Sequence, residues 1–258
     1  MAKSWMDLTG RVAVVVGGTS GLGRVIALGL AEAGADVVAT GRRQELVDEV
    51  SATVESLGRD SLNQTVNVAD RSSVDELCDA VVKKFGHVDI LLNAAGRTKR
   101  TPTIDLTEEE WHSTLETNVT GMLRCCQSFY EPLVASKRGR IINIASLTSF
   151  VSFFEVTAYA ASKGAVLALT RSLAVEWARH GIVVNAIAPG VFRTDLNAAL
   201  LDGTQRGREL LMRTPMGRFG HLDEVVGAAV LLASDASSFI TGQCITVDGG
   251  FLASGVNS

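Results

Sequence analysis

The chain has 258 residues, 47% of them hydrophobic and 20% charged, which is enough to bury a large core in one α/β domain. A formal net charge of −4 argues against nucleic acid as a main partner, and no apolar run approaches the ~20 residues that span a bilayer. The opening MAKSWMDLTGR carries no apolar export segment, Cys78, Cys125, Cys126 and Cys244 show no CxxC spacing, and His87, His112, His180 and His221 are scattered, so a cytoplasmic protein with reduced thiols and no metal is expected.

The first strand is predicted at 11–16 (RVAVVV) and runs directly into VGGTSGLG. Gly17, Gly21 and Gly23 are spaced GxxxGxG, and a helix with apolar residues at three- and four-residue intervals follows at 22–33. Backbone without Cβ can approach a pyrophosphate closely, and the start of the helix offers unpaired N–H groups and its positive dipole end. A glycine triplet alone is a weak signal; its position between a strand and an amphipathic helix is the context that supports it. Thr19, Ser20 and Leu22 lie in the same turn and are expected to join the glycines in binding a cofactor.

The second strand, 35–40 (ADVVAT), ends in T-G-R-R. An acidic residue here would bond the ribose 2′-hydroxyl of NAD. Arg42 stands there instead, and its guanidinium can clamp a 2′-phosphate, so NADP(H) is the preferred cofactor and NAD(H) the alternative. Further along, strands are predicted at 62–68, 88–93, 140–145, 182–187 and 244–248, and helices at 44–57, 72–85, 107–135, 158–179 and 222–233. Continuous Val/Ile runs mean strands buried on both faces, hence a parallel sheet covered by helices. With no linker or repeat to divide it, 1–258 reads as a single doubly wound α/β domain. The connection 193–219 is polar and interrupted by Gly203, Gly207 and Pro215, and it reads as a substrate lid.

YAASK (159–163) puts Tyr159 and Lys163 on one face of a helix. A phenol titrating near pH ~10 is a poor base at neutrality, and an adjacent ammonium stabilises the phenolate. The pair could then exchange a proton with an alcohol or carbonyl oxygen. Ser146 ends the strand RGRIINIAS, and in open α/β sheets ligands bind beyond the carboxyl ends of the strands, so its hydroxyl is placed to hold the substrate oxygen.

The glycine turn at 17–23, NAAG (93–96), Asn118, Ser146, YAASK and APG (188–190) together resemble the short-chain dehydrogenase/reductase family, in order and over nearly the whole chain. The resemblance implies a seven-stranded sheet of order 3-2-1-4-5-6-7 in a Rossmann-type fold. It also implies a catalytic tetrad: Tyr159 as acid/base, Lys163 binding the nicotinamide ribose and depressing the tyrosine pKa, Ser146 positioning the substrate oxygen, and Asn118 holding a water that links Lys163 to solvent. Asn93, Ala94 and Gly96 would lie along the cofactor, Asn93 against the adenine ribose. Asn67 and the Val68 backbone would lie near the adenine, and Pro189, Gly190, Val191 and Thr194 near the nicotinamide. The chain departs from the family pattern at Val16, Ala94 and Asn67, where Thr, Asn and Asp are usual.

RTKRTP (97–102) resembles the sugar-acid branch of that family, the gluconate and deoxygluconate dehydrogenases, and Arg100 could attract a carboxylate. Phe150, Phe153 and Phe154 sit between Ser146 and Tyr159, where they could line an apolar pocket or pack against another subunit. Two substrate readings therefore stand: a sugar acid or polyol such as gluconate, and a 3-oxoacyl-carrier-protein or other bulkier ketone. A catalytically inactive dinucleotide sensor is a third reading, disfavoured by retention of the tetrad. Family resemblance further implies a homotetramer, with helices 107–135 and 158–179 at one two-fold interface and the segment 217–250 at another.

Overall fold

The structure, a computed structural model, describes residues 5–194 and 197–257. In chain order its elements are β1 (Val12–Val16), α1 (Gly21–Glu32), β2 (Asp36–Thr40), α2 (Gln44–Ser56), α3 (Arg71–Phe85), β3 (Ile90–Asn93), α4 (Glu108–Leu115), α5 (Gly121–Ser128) and α6 (Tyr130–Ser136). These are followed by β4 (Arg140–Ile144), α7 (Thr157–Trp177), β5 (Val183–Pro189), α8 (Ala198–Leu201), α9 (Gln205–Arg213), α10 (Val226–Ala233) and β6 (Cys244–Val247). All strand pairings are parallel, in the order β2-β1-β3-β4-β5-β6.

Alternation along each strand divides the core in two. Val12, Val14 and Val16 face a cluster built with α3, α5 and α7, while Ala13 and Val15 face one built with α1 and α10. With both faces of the sheet covered, the strands carry the unbroken apolar runs that the sequence shows. Helix ends follow local chemistry. Asp70 caps α3 by accepting from the Ser72 N–H at 3.0 Å, and Gly86 ends it in the left-handed region at φ 77°.

Two expectations need correction. Among the described residues the sheet has six strands, not seven, because 62–68 forms none. The segment does run along the outer edge of β2, bonded through Val37 N–H to Asp60 O at 3.0 Å and Val66 N–H to Gly41 O at 2.8 Å. Between those points the Gln64 N–H turns back on Leu62 O, Ser61 Oγ donates to Val37 O, and Thr40 Oγ donates to Gln64 O. Hydroxyls thus occupy carbonyls that a main-chain ladder would need. The expected helix 107–135 is also three helices. A wide turn at Glu116–Thr120 separates α4 from α5. Pro132, lacking an N–H, cannot serve Ser128 O, which accepts from Cys78 Sγ at 3.2 Å instead, and the chain re-forms a helix only at α6. The expected lid contains α8 and α9, with residues 195 and 196 outside the described part.

Register aligns the carboxyl ends of the central strands. Val16 pairs with both Thr40 and Asn93, Asn93 with Asn143, and Ile144 with Ile187. The loops leaving these ends build one cleft.

Candidate active site

The cleft measures about 780 Å³, within the range of small-ligand and cofactor sites. Gly17, Thr19, Ser20, Leu22 and Gly23 form its floor, Arg42, Asn67 and Val68 one end, and Ala94, Gly96, Tyr159, Lys163 and Thr194 the other. Sequence reasoning missed Gly41, Arg43, Ala95, Arg97, Thr98, Thr117 and Ile144, which also line it. Most of these immediately follow a strand or neighbour a named motif, and that position was the available signal.

The cleft fits a dinucleotide on its own features. Its described lining includes Arg42, Arg43, Arg97 and Lys163 and no carboxylate, so it favours an anion. Helix α1 begins with Ser20, whose side chain makes no capping bond, and has no acidic residue in its first turn, leaving its N–H groups and dipole for a ligand. The glycines are needed for the approach of backbone to backbone: a Cβ on Gly17 would lie 2.5 Å from Ala95 N, and one on Gly23 would lie 2.1 Å from Gly17 O. A Cβ on Gly21 would meet nothing, but its φ of 53° is the left-handed region.

At the inner end, Tyr159 and Lys163 project from the first turns of α7, as their spacing predicts. The Lys163 ammonium is 5.7 Å from the centroid of the Tyr159 ring. It is buried and donates to Ile144 O, at the end of β4, at 2.6 Å. Burial pulls its pKa down to about 8. Burial also raises the Tyr159 pKa, and a side-chain hydrogen bond with Ser146 partly offsets this. Burial of the phenol thus opposes the depression expected for it from sequence. Ser146 Oγ accepts from Thr148 N–H at 3.1 Å, which fixes the hydroxyl at the turn after β4.

Asn118 is fully buried in the wide turn. Its Oδ1 accepts from Arg97 N–H at 2.8 Å, and its Nδ2 donates to Arg97 O at 3.0 Å and Ser162 Oγ at 2.9 Å. The carboxamide thus staples the loop after β3 to α7. Asn93 turns from the cleft. Its Nδ2 donates to Asn143 Oδ1 at 2.9 Å inside the sheet, so its side chain is not set against an adenine ribose.

Other expected residues lie apart from the cleft lining. Val191 lines a separate cavity of about 360 Å³ with Thr214, Arg218 and Asp248. Pro189 ends β5, and Gly190 follows it, where a Cβ would lie 2.6 Å from the Asp248 Cα. Phe150 and Phe154 are exposed, whereas Phe153 packs edge-on against Phe251 with centroids 5.9 Å apart. Arg100 is paired with Glu155 at 2.6 Å.

A family model described as Enoyl-(Acyl carrier protein) reductase matches residues 16–252. The chain is 40% identical over 256 residues to the 2-dehydro-3-deoxy-D-gluconate 5-dehydrogenase of Escherichia coli, covering 98% of this chain and 100% of that one. It is 37% identical to the gluconate 5-dehydrogenase of Gluconobacter oxydans, with 96% and 97% of the two chains covered. Among solved structures, a gluconate 5-dehydrogenase from Burkholderia cenocepacia in complex with NADP and tartrate superposes with a TM-score of 0.93 at 37% identity, covering 97% of this chain and 98% of that one. A glycine turn opening onto an anion-seeking cleft, a tyrosine and lysine at its inner end and near-complete alignment with such relatives lead to one assignment: the chain belongs to the short-chain dehydrogenase/reductase family of NAD(P)-dependent oxidoreductases.

Proposed function

We propose that this enzyme interconverts a ketone and a secondary alcohol on a sugar acid of the gluconate type, using NADP(H). The observation that carries the reaction is the convergence of Ser146, Tyr159 and Lys163 at the inner end of the cleft, beyond the end of β4. The names of the relatives support the substrate class, since three of them, at 36–40% identity, are a 2-dehydro-3-deoxy-D-gluconate 5-dehydrogenase, a gluconate 5-dehydrogenase and a 5-keto-D-gluconate 5-reductase.

When bound, the nicotinamide supplies or accepts the hydride. Gly17, Gly21 and Gly23 with the start of α1 would hold its pyrophosphate, and Arg42 a 2′-phosphate. Ser146 Oγ holds the substrate oxygen. In the reducing direction the Tyr159 phenol, kept protonated by burial, gives its proton to that oxygen. In the oxidising direction it must take the proton back, and the Lys163 charge at 5.7 Å favours the phenolate that does so. Tyr159→Phe is expected to lower kcat by ~10²–10⁴ while NADPH still titrates normally by fluorescence. Turnover close to wild type in that variant would refute the role.

The exposed rings of Phe150 and Phe154 favour a second reading, a bulkier ketone docked on an apolar rim, and a screen over 5-keto-gluconate, polyols and 3-oxoacyl thioesters separates the two. The assembly is proposed as a homotetramer in the cytoplasm. Val175 on α7 and Phe239 beside β6, 84% and 102% exposed, lie on the two expected interfaces, and none of the four cysteines is in a disulfide. No helix among the described residues is long and apolar enough to cross a membrane.

A further inference from the structure

Beside the mouth of the cleft, two loops are tied to each other. One follows β3 and carries Arg100, Thr101 and Thr103; the other leads into α7 and carries Phe153, Phe154 and Glu155. The Thr101 N–H donates to Glu155 O at 2.9 Å, Arg100 Nη2 donates to Glu155 Oε2 at 2.6 Å, and the Thr103 and Thr157 hydroxyls are 2.6 Å apart. Glu155 is one of two non-glycine residues with positive φ among the described residues, at 65°. Strain of this kind persists where the surroundings over-determine it, and it clusters at functional sites.

Helix α9 brings a second guanidinium to the same place. Arg206 is half-buried, 5.9 Å from the centroid of the Phe153 ring, with its Nη1 at 3.5 Å from Phe154 O. Among the described residues it makes no ion pair: Arg100 opposes its charge and Glu155 and Glu209 favour it, but Glu155 is bonded to Arg100 and Glu209 accepts from Gln205 Nε2 at 2.8 Å. Two guanidiniums therefore stand beside Glu155, and that of Arg206 bonds neither neighbouring carboxylate. The group is close to the chemistry. Glu155 is four residues before Tyr159, so their Cα atoms are at most ~14 Å apart. Arg100 is four residues after Gly96, whose Cβ position lies 3.8 Å from Lys163 Nζ.

We propose that Arg206 is a specificity-determining residue that, with Arg100, receives the carboxylate of the substrate acid beside Glu155. The proposal rests on the sugar-acid reading above. A guanidinium with no carboxylate partner of its own presents paired donors that match the two oxygens of a bound acid. Because Arg206 is carried by α9 and Arg100 by the loop after β3, an acid bound between them joins α9 to that loop, where α9 now reaches Phe153 and Phe154 of the neighbouring loop. A neutral ketose of the same length cannot do this.

The test compares 5-keto-D-gluconate with its methyl ester, using NADPH and the wild-type, Arg206→Met and Arg206→Lys enzymes. Binding of D-gluconate to the NADP⁺-loaded enzymes is measured in parallel by calorimetry. The expected result is a fall of ~10- to 100-fold in kcat/KM for the acid in Arg206→Met, carried by KM, from the loss of charge-assisted bonds. The ester should change by no more than about twofold, gluconate affinity should fall with the KM of the acid, and Arg206→Lys should recover part of the loss. Equal losses for acid and ester would mean that Arg206 only supports the Phe153 wall, and would overturn the proposal. A wild type that favours the acid, with Arg206→Met unaffected, overturns the proposal and leaves the sugar-acid reading standing. A wild type with no preference for acid over ester removes that reading and this proposal together.

Discussion

Lys163 gives the sharpest quantitative test of the site, because its ammonium is buried with one protein acceptor, Ile144 O. Its pKa moves from 10.5 to about 8 through burial. At ~1.4 kcal/mol per pH unit, holding it charged in the folded protein costs about 3 kcal/mol. Between those two pKa values the unfolded chain keeps a proton that the folded chain has lost, so the unfolded state binds more protons and stability rises with pH across that window. The perturbation is Lys163→Met, which fills similar space and does not titrate. Other lysines titrate alike in both proteins and cancel in the difference. Relative to the variant, the wild type should gain about 2–3 kcal/mol in unfolding free energy between pH 7 and pH 10. The measurement is urea unfolding by far-UV circular dichroism at several pH values, with protein concentration fixed because oligomer stability depends on it. A difference between the two proteins that stays flat over this range would refute the reasoning, since it would mean that the ammonium is solvated and the inner end of the cleft is wet.

Three further outcomes are expected. Gly23→Ala would place a Cβ 2.1 Å from Gly17 O, so the turn must move; NADPH affinity by fluorescence titration should fall by ~100-fold, with helix content unchanged. Arg42→Ala should weaken NADPH by ~10- to 100-fold and NADH hardly at all, and equal losses would overturn the preference for the phosphorylated cofactor. Gly29→Ala would put a Cβ 2.3 Å from Val226 Cγ1 where α1 meets α10, costing ~1–3 kcal/mol in thermal or urea unfolding, and Val226→Ala in the same chain should restore most of it.

The sequence by itself determined the elements whose signal is local. The Val/Ile runs gave strands buried on both faces, the glycine spacing gave a turn that only backbone can fill, and a four-residue interval put Tyr159 and Lys163 on one face of α7. Each of these follows from a period or a missing Cβ, which the order of residues carries directly. The tertiary structure decided whatever depends on partners distant in the chain. Ser61 and Thr40 hydroxyls took the bonds of a seventh strand, and Pro132 with the wide turn at Glu116–Thr120 split one helix into three. Asn93 went to Asn143 inside the sheet, and the Asn118 carboxamide to Arg97 and Ser162, partners that their motifs do not specify. Packing set the charge states too: the distance between ring and ammonium favours phenolate, yet burial of both groups, which exists only once the chain has closed around them, raises one pKa and lowers the other. Arg206 meets Phe153 only because α9 packs against the loop before α7, a contact between residues 53 apart in the chain that no local pattern encodes.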